Sequence, residues 1–364
     1  MNTELPLRER ISGCLLGIAV ADAIGLPLEG LTRKQIQRVV GNQELQHRFL
    51  FGKGMVSDDL EHNCLTGQAI LESGGNPELF GKRLAKRLRW WIAGLPAGTG
   101  RATMRACIKL WLGKSYERSG VFSAGNGPAM RAPIVGALIS DKSLLLQFVT
   151  ISSQITHSDP KANFGALVVA GLVHEIVHGM GTDAMAPEQV VRIAKEWLPE
   201  DKAADELFGL IKLAAENAAN GESTREFSTQ QNWTLGVSGY TYHTVPAALH
   251  ACMRYRQDFQ SAITELIRCG GDVDSTAAIA GGIIGAAYGE SVIPSRWLKD
   301  LMEFPRTKRW TRALSKQLSE FKSGQASRPI KINPIVQFAR NLLFLSVVVV
   351  HVIRRIPLRL FCRG

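Results

Sequence analysis

Two short acidic motifs, far apart in the chain, carry the side chains best suited to chemistry. They are Ser57-Asp58-Asp59 and Asp272-Val273-Asp274-Ser275, and two glycines precede the second. Both offer carboxylate and hydroxyl oxygens, the ligands that Mg²⁺ and Mn²⁺ prefer in proteins. A Ser-Asp-Asp segment before a helix is also an ordinary N-cap, so the first motif alone does not indicate a metal. The second precedes small residues that predict a buried helix, and buried carboxylates need a positive partner.

A third acidic segment runs from Asp22 to Gly30 and contains glycines and a proline that bend the chain. Such a bend could present Glu29 to a cleft. A surface loop would equally leave Glu29 in water without any role. The segment therefore supports a site only if it lies beside the two acidic motifs.

The segment His174-Glu175-Ile176-Val177-His178 forms a competing HExxH pattern. On a helix this spacing puts two histidines on one face, where they bind zinc beside a glutamate that acts as a base. The longer metzincin signature is incomplete, because Ala184 stands where its third ligand belongs. Glu196 or Glu200 could supply a later glutamate ligand, so a zinc metalloprotease remains an alternative from the sequence alone.

Helical spacing of apolar residues dominates the elements that must position these motifs, and alternating strand-like runs are scarce. The spacing predicts helices over 8–26, 57–72, 78–93, 101–112, 128–139, 142–154, 160–178, 187–197, 202–219, 244–255, 258–268 and 276–288. The last is rich in Gly and Ala, which allow close backbone contact, so we interpret it as a buried central helix. The fold class is therefore all-α, with one domain over residues 5–320 and a tail over 321–364.

The tail carries most of the positive charge. Residues 322–364 contain eight Lys or Arg and no Asp or Glu, which leaves +3 of the net charge of +11 for the body. The body has no basic patch interleaved with aromatic residues, so we expect no nucleic-acid partner. The apolar run at 342–353 is too short to span a bilayer but suits an anionic membrane surface. Residues 335–364 thus indicate peripheral membrane contact, and packing on the body or a partner is the alternative.

Cysteine usage bears on the cellular compartment. Six cysteines are scattered without a CxxC pair or zinc-ligand spacing, which is typical of reduced thiols in the cytoplasm. The apolar run at 11–21 resembles a signal-peptide core, but Glu4 and Glu9 precede it and Asp22 follows it. We therefore expect a cytoplasmic protein, with membrane association through the tail.

Five segments together resemble one known family. They occur between Gly13 and Gly289 in the order GCLLGIAVADAIGLPLEG, SDDLEHNCLTGQAIL, SAGNGPAMRAPIVGAL, THSDPKANFGALVVA and CGGDVDSTAAIAGGIIGAAYG. This series resembles the ADP-ribosylglycohydrolases, which include the dinitrogenase-reductase-activating glycohydrolases. Five motifs in the family order are far more specific than any single short match.

The resemblance implies a single compact orthogonal helical bundle around two Mg²⁺ ions, with Mn²⁺ as the possible substitute. It implies a hydrolase that removes ADP-ribose from an ADP-ribosylated protein or small molecule by metal-assisted cleavage of the glycosidic bond at the ribose. Glu29 would be the catalytic base. The metal ligands implied are Ser57, Asp58, Asp59, Asp272, Asp274 and Ser275, and the substrate-binding residues implied are Ser123, Gly125, Asn126, Gly127 and His157.

Three departures from the family pattern affect this expectation. Ser57 replaces the more usual Thr and keeps the hydroxyl, and Ala21 stands where Gly is common. The segment PAGTGRAT at 96–103 has no carboxylate, whereas the dinitrogenase-reductase type uses an Asp there. Catalysis then depends on Glu29 or on water, and these residues do not determine the acceptor group.

A catalytically silent ADP-ribose-binding module is the further alternative for the function. For the tail, we expect removal of the chain after about Gly324 to leave activity intact.

Overall fold

The computed structural model describes residues 5–49 and 51–360, and helices joined by short loops make up most of them. The α-helices in this part of the chain are α1 (Leu7–Gly25), α2 (Arg33–Val40), α3 (Asp58–Ser73), α4 (Pro77–Ala93), α5 (Arg101–Trp111), α6 (Gly127–Met130), α7 (Ala132–Leu138), α8 (Lys142–Thr156), α9 (Pro160–His178), α10 (Pro187–Trp197), α11 (Lys202–Ala219), α12 (Thr224–Gln230), α13 (Thr241–Tyr255), α14 (Phe259–Cys269), α15 (Val273–Tyr288), α16 (Ser295–Asp300), α17 (Lys308–Ser319) and α18 (Pro334–Leu360). The same residues form isolated β-bridges and no strand. The predicted all-α class is confirmed.

Glycine contacts bring α1 directly against α15 at the centre of the fold. A Cβ atom on Gly17 would lie 2.2 Å from the carbonyl oxygen of Gly281, so only glycine permits this approach. A Cβ atom on Gly25 would lie 2.7 Å from the Cα atom of Asp274. The order of these contacts makes the two helices antiparallel. The C-terminus of α1 therefore meets the N-terminus of α15, where the second acidic motif lies.

Most predicted helices are present, and four further helices of 6 to 12 residues occur in addition to them. Helical spacing does not predict α2, α12, α16 or α17, because each buries few apolar residues. The helix expected over 128–139 is divided into α6 and α7 at Arg131. The buried guanidinium of Arg131 donates to Ser152, Thr156 and the carbonyl oxygen of Gly127, which holds this break in the chain.

The inner face of α18 packs on the body. Arg340 forms an ion pair with Glu303 at 2.7 Å, and the two side chains are only 3% and 1% exposed. Further along the helix, His351 Nε2 donates to the carbonyl oxygen of Pro27 at 2.9 Å. These contacts support the alternative that the tail packs on the body. Removal of the chain after Gly324 would leave Glu303 buried without its arginine.

Within the described residues, two segments are long and apolar enough to cross a membrane, judged by length and composition. They are Leu7–Leu28 and Pro334–Ile353. The first is 94% buried, because it contains the central helix α1. The second is only 17% buried, so it leaves a large apolar surface without cover in the described structure.

The described cysteines are free thiols inside the helical core. Cys14, Cys64, Cys107, Cys252 and Cys269 are all buried, and Cys362 lies outside the described residues. Burial raises the pKa of Cys64 to about 12 and that of Cys269 to about 11. Buried thiols of this kind are unreactive, so they act as small apolar residues.

Candidate metal centre and phosphate loop

The two acidic motifs lie in one place, although 216 residues separate the side chains that join them. Ser275 Oγ, in the first turn of α15, donates to Asp59 Oδ2 at 3.3 Å. Ser57 Oγ, at the start of α3, donates to the same oxygen at 3.3 Å. Asp58 and Asp59 form the first turn of α3, where the positive end of the helix favours carboxylates.

Asp22 belongs to this cluster, although the motif analysis assigned it no role. Both of its carboxylate oxygens accept the N–H of Ser57, at 2.8 and 3.1 Å. Asp22 thereby ties the C-terminal end of α1 to the start of α3. The signal in the sequence is a lone carboxylate at the end of an apolar helix, where an unneutralised charge is costly.

Three buried carboxylates are close enough to bind one ion. Asp22, Asp59 and Asp274 each offer an oxygen, and these three atoms lie within 4.8 Å of one another. Asp59 Oδ1 and Asp274 Oδ1 are buried and accept no hydrogen bond in the described structure. Oxygen atoms that lack donors and converge from three helices fit a hard cation such as Mg²⁺. The cluster could therefore hold a metal ion.

Electrostatics support a cation at this position. Burial, followed by repulsion from neighbouring carboxylates, raises the pKa of Asp58, Asp59 and Asp274 well above the ordinary value of an aspartate. The pKa of Asp22 is raised by the same two causes. Among nearby cations, the buried guanidinium of Arg131 donates its hydrogen bonds to Gly127, Ser152 and Thr156 and forms no ion pair with these carboxylates in the described structure. A bound cation would supply the missing positive charge.

Backbone hydrogen bonds hold the loop of Glu29 beside the second acidic motif. Gly30 N–H donates to the carbonyl oxygen of Gly271 at 2.8 Å, and Gly271 N–H donates to that of Leu31 at 2.8 Å. Gly271 has a φ of 91° and touches the backbone of Val237, so a side chain would not fit there. Glu29 is exposed. The pKa values of Asp58 and Asp274 are raised mainly by the burial of these two aspartates, and the negative charge of Glu29 raises them further.

The glycine-containing loop from Ser123 to Gly127 lies next to the same motif. Asn126 Nδ2 donates to Asp272 Oδ2 at 2.8 Å, so this loop and the acidic cluster are in contact. The N–H of Asn126 donates to the carbonyl oxygen of Gly239 at 2.9 Å. The amide of Asn126 is therefore not free for a phosphate group. The helix after the loop begins at Gly127, not at Pro128, and is only four residues long.

His157 packs under this loop. A Cβ atom on Gly127 would lie 2.8 Å from His157 Cε1, which explains the glycine. Burial, with the nearby charge of Arg131, lowers the pKa of His157 to about 3, so its ring is neutral at pH 7. His157 Nδ1 lies 2.9 Å from Thr156 Oγ1. A neutral ring in this position can donate or accept one hydrogen bond but adds no charge.

The HExxH pattern does not form a zinc site. His174 Nδ1 donates to the carbonyl oxygen of Ile139 at 3.0 Å, and His178 Nε2 donates to that of Ala137 at 3.1 Å. Glu175 forms an ion pair with Lys142 at 3.0 Å. In the described part of the chain, the group that could hold a metal is the aspartate cluster. The metalloprotease alternative is therefore wrong, and the histidines pack α9 on the C-terminal end of α7.

For the ADP-ribose release that the family resemblance implies, we expect Glu175→Gln to stay within about twofold of the wild type. Glu175 contacts Lys142 far from the aspartate cluster, and a partly exposed ion pair contributes little to stability. The measurement is the initial rate of ADP-ribose release, with the zinc content of the purified protein determined in parallel. A large loss of activity, or one equivalent of tightly bound zinc, would restore the protease alternative.

Comparison with known proteins covers both acidic motifs. The family model for ADP-ribosylglycohydrolase matches residues 3–327. A protein of Archaeoglobus fulgidus is 30% identical over 302 residues, which are 82% of this chain and 93% of the relative. The ADP-ribosyl-[dinitrogen reductase] glycohydrolase of Rhodospirillum rubrum is 27% identical over 305 residues, which are 81% of this chain and 91% of the relative.

The fold is also similar to a solved structure. A chain described as an ADP-ribosylglycohydrolase-related protein complex superposes with a TM-score of 0.64 at 26% identity, covering 86% of this chain and 98% of the other. Sequence and fold therefore agree over the helices that carry the acidic cluster. This chain belongs to the ADP-ribosylglycohydrolase family, and it is a hydrolase that removes ADP-ribose from modified groups.

Proposed function

We propose that this hydrolase cleaves the glycosidic bond at the ribose of an ADP-ribosylated protein or small molecule with two Mg²⁺ ions, for which Mn²⁺ can substitute. The observation that carries the proposal is the convergence of Asp22, Asp59 and Asp274 within 4.8 Å. Asp59 Oδ1 and Asp274 Oδ1 in that cluster are buried without a hydrogen-bond donor, and a cation would stabilise them. Membership of the family indicates the substrate class.

The residues proposed to hold the ions come from both acidic motifs and from α1. The carboxylates of Asp22, Asp59 and Asp274 would bind one ion, and those of Asp58 and Asp272 would help to bind the other. When bound, such ions supply the positive charge that orients ribose hydroxyls and favours deprotonation of a water molecule. The hydroxyls of Ser57 and Ser275 keep Asp59 Oδ2 in place through hydrogen bonds at 3.3 Å.

Glu29 is proposed as the base that takes a proton from the attacking water. Its loop is held by backbone bonds to Gly271, and its charge acts on Asp58 and Asp274. A general base must reach the proton that it removes, and an exposed carboxylate at the rim of the cluster meets this need.

The loop from Ser123 to Gly127 is proposed to bind the diphosphate of ADP-ribose. Because the N–H of Asn126 is already bonded to Gly239, the other backbone amides of this glycine-containing turn would bind the anion. The side chain of Asn126 links this loop to Asp272, which sets the distance between the diphosphate site and the ions. His157, beneath the glycines, would offer one hydrogen bond to the substrate or hold the turn.

The acceptor side of the site is proposed to favour a group other than arginine. A cavity of about 160 Å³ is lined in part by Glu29, Gly98, Phe344 and His351. Gly98 belongs to the segment 96–103, which has no carboxylate. Glu29 is the carboxylate that lines this cavity, and its proposed role as the base leaves none to pair with a guanidinium. We also propose that the protein acts in the cytoplasm, which agrees with its buried free thiols.

The experiment that tests this function is a screen of defined ADP-ribosylated substrates with purified protein. Arginine-linked, serine-linked and small-molecule conjugates are compared by the rate of ADP-ribose release with Mg²⁺, with Mn²⁺ and after removal of metal with a chelator. We expect release that requires a divalent ion and is fastest for a substrate without arginine. Full activity after chelation would contradict the metal centre.

For Glu29→Gln we expect kcat to fall by about 10²-fold or more, because the amide cannot accept the proton of the attacking water. Binding of ADP-ribose, measured by calorimetry with Mg²⁺ present, should stay within a few-fold of the wild type. Glu188→Gln is the matched control, since Glu188 is also exposed but lies in the first turn of α10. A wild-type kcat in Glu29→Gln would remove Glu29 as the base.

A further inference from the structure

The helix α18 differs from an ordinary surface helix because its outer face is apolar. Its inner face buries Phe344, which is 1% exposed and packs in a small apolar cluster with Phe49. The inner face, against the body, also carries the polar side chains Gln337, Arg340, Asn341 and His351. A surface helix of a globular protein normally buries its apolar face and exposes its polar face. Because the polar residues of α18 already form hydrogen bonds with the body, its exposed apolar face is available to a partner outside the body.

The outer face of α18 is almost entirely apolar between Pro334 and Ile353. Leu343 is 54% exposed, Val350 is 48% exposed and Ile353 is 57% exposed. Nine large apolar side chains on this face are exposed: Ile335, Phe338, Leu342, Leu343, Leu345, Val349, Val350, Val352 and Ile353. A continuous apolar patch of this kind marks a contact surface and not ordinary solvent exposure.

Two loops that contact α18 also expose large apolar side chains. Asn341 Nδ2 donates to the carbonyl oxygen of Gly94, and the next residue, Leu95, is 53% exposed. Phe304, which follows the ion-paired Glu303, is 55% exposed. Two separate segments that contact the inner face of α18 thus also expose a large apolar side chain.

The charge of the tail indicates which partner covers this surface. No Asp or Glu occurs after Glu320, and Arg354, Arg355 and Arg359 follow the apolar run directly. Two copies of α18 paired in parallel would therefore bring their basic ends together. An anionic lipid surface offers both the apolar interior for the outer face and the negative charge for the arginines.

We propose that α18 attaches this enzyme to an anionic membrane surface, with the helix lying along the interface and its inner face still on the body. The helix does not cross the bilayer, because crossing would pull Arg340 and Asn341 away from Glu303 and Gly94. The attachment adds a location to the hydrolase and does not depend on which acceptor it uses.

The test is flotation of the full-length protein with lipid vesicles, made either of phosphatidylcholine alone or with about one third phosphatidylglycerol. The fraction of wild-type protein that floats should be at least tenfold larger with anionic vesicles than with neutral ones. This fraction should fall as the salt concentration rises, because salt screens the charge of the arginines. The variant Leu343→Glu/Val350→Glu should lose most of this binding, because two charges would enter the apolar face. Its rate of ADP-ribose release without vesicles should match that of the wild type, which shows that it folds.

The matched control is Leu213→Glu/Leu235→Glu, which adds the same charges at leucines that are 47% and 75% exposed elsewhere on the molecule. This variant should float like the wild type. Equal flotation of the α18 variant, or no flotation of the wild type, would overturn the proposal. It would also be overturned if the wild type forms a dimer without lipid that the α18 substitutions dissociate, or if it stays in vesicles after both high salt and alkaline extraction.

Discussion

Replacing Asp274 by Asn is expected to lower kcat for ADP-ribose release by about 10³-fold, equivalent to about 4 kcal/mol of transition-state stabilisation. The carboxylate of Asp274 is one of the three that converge within 4.8 Å, and its Oδ1 has no hydrogen-bond donor. An amide cannot replace its negative charge toward a divalent ion. Asp58→Asn should behave in the same way, since Asp58 lies in the same field of charge.

Thermal unfolding gives a second, independent measure of the same variant. Burial and mutual repulsion raise the pKa values of Asp59 and Asp274, so without metal their ionisation destabilises the fold as the pH rises above about 4. Asp274→Asn removes one of these charges and should raise the Tm of the metal-free protein at pH 7. Mg²⁺ should raise the Tm of the wild type by binding the folded state, and should do so much less in the variant.

Asp205→Asn is the control for both measurements, because Asp205 is an exposed aspartate in the first turn of α11. It should leave kcat and the Mg²⁺-induced shift in Tm unchanged. If Asp274→Asn kept full activity, or if Mg²⁺ stabilised it as strongly as the wild type, the assignment of the ion site would be contradicted.

Arg340→Ala is expected to lower the free energy of unfolding by about 3–5 kcal/mol, because it leaves the charge of Glu303 buried and unpaired. Burial raises the pKa of Glu303 despite the arginine, whereas Glu303 and Glu61 keep the pKa of Arg340 raised against the opposing effect of burial. We interpret the pair as charged at pH 7, since the two side chains are 2.7 Å apart and arginine does not lose its proton.

This ion pair also holds the backbone before the first acidic motif. Arg340 Nη2 donates to the carbonyl oxygen of Val56 at 2.7 Å, and Val56 N–H donates to Glu303 Oε2 at 3.1 Å. Val56 directly precedes Ser57. Removal of the chain after Gly324 should therefore lower both stability and activity, in contrast to the expectation from the sequence.

The measurement is equilibrium unfolding by urea, with two comparisons. Arg312→Ala breaks an ion pair with Glu290 whose side chains are 44% and 29% exposed, and it should cost within about 1 kcal/mol. The double variant Arg340→Met/Glu303→Leu removes both buried charges and should recover much of the loss. A loss in Arg340→Ala no greater than that in Arg312→Ala would show that α18 is not anchored by this pair.

Helical spacing predicts the fold class and most long helices, because apolar residues recur where a helix buries one face. It does not predict α2 or α17, which each bury only a few side chains. Helical spacing also does not predict the polar contacts between α18 and the body. A few polar residues in an apolar tail look like interruptions of a membrane-seeking helix, and only the folded chain reveals that Arg340 faces Glu303.

Parts of the candidate site could be identified from the sequence, but their contacts could not. The residue types of both acidic motifs indicate an ion, whereas their meeting depends on how α1, α3 and α15 pack, for which the family resemblance was the guide. The sequence pattern gave Asp22 no role, because a single carboxylate at the end of a helix can have many roles. The bond from the Asn126 amide to Gly239 could not be foreseen, because it joins segments that are distant in the chain.

The glycine contact between α1 and α15 makes the spacing of the proposed ion ligands a mechanical property of the helix pair. Gly17 precedes Asp22 by five residues and Gly281 follows Asp274 by seven, which is roughly 8 to 10 Å along each axis. A single methyl group at Gly17 or Gly281 would force the two helices apart. Because both helices are rigid, the carboxylates at their ends would also move apart. The geometry of this catalytic centre is thus under the control of residues that never touch it.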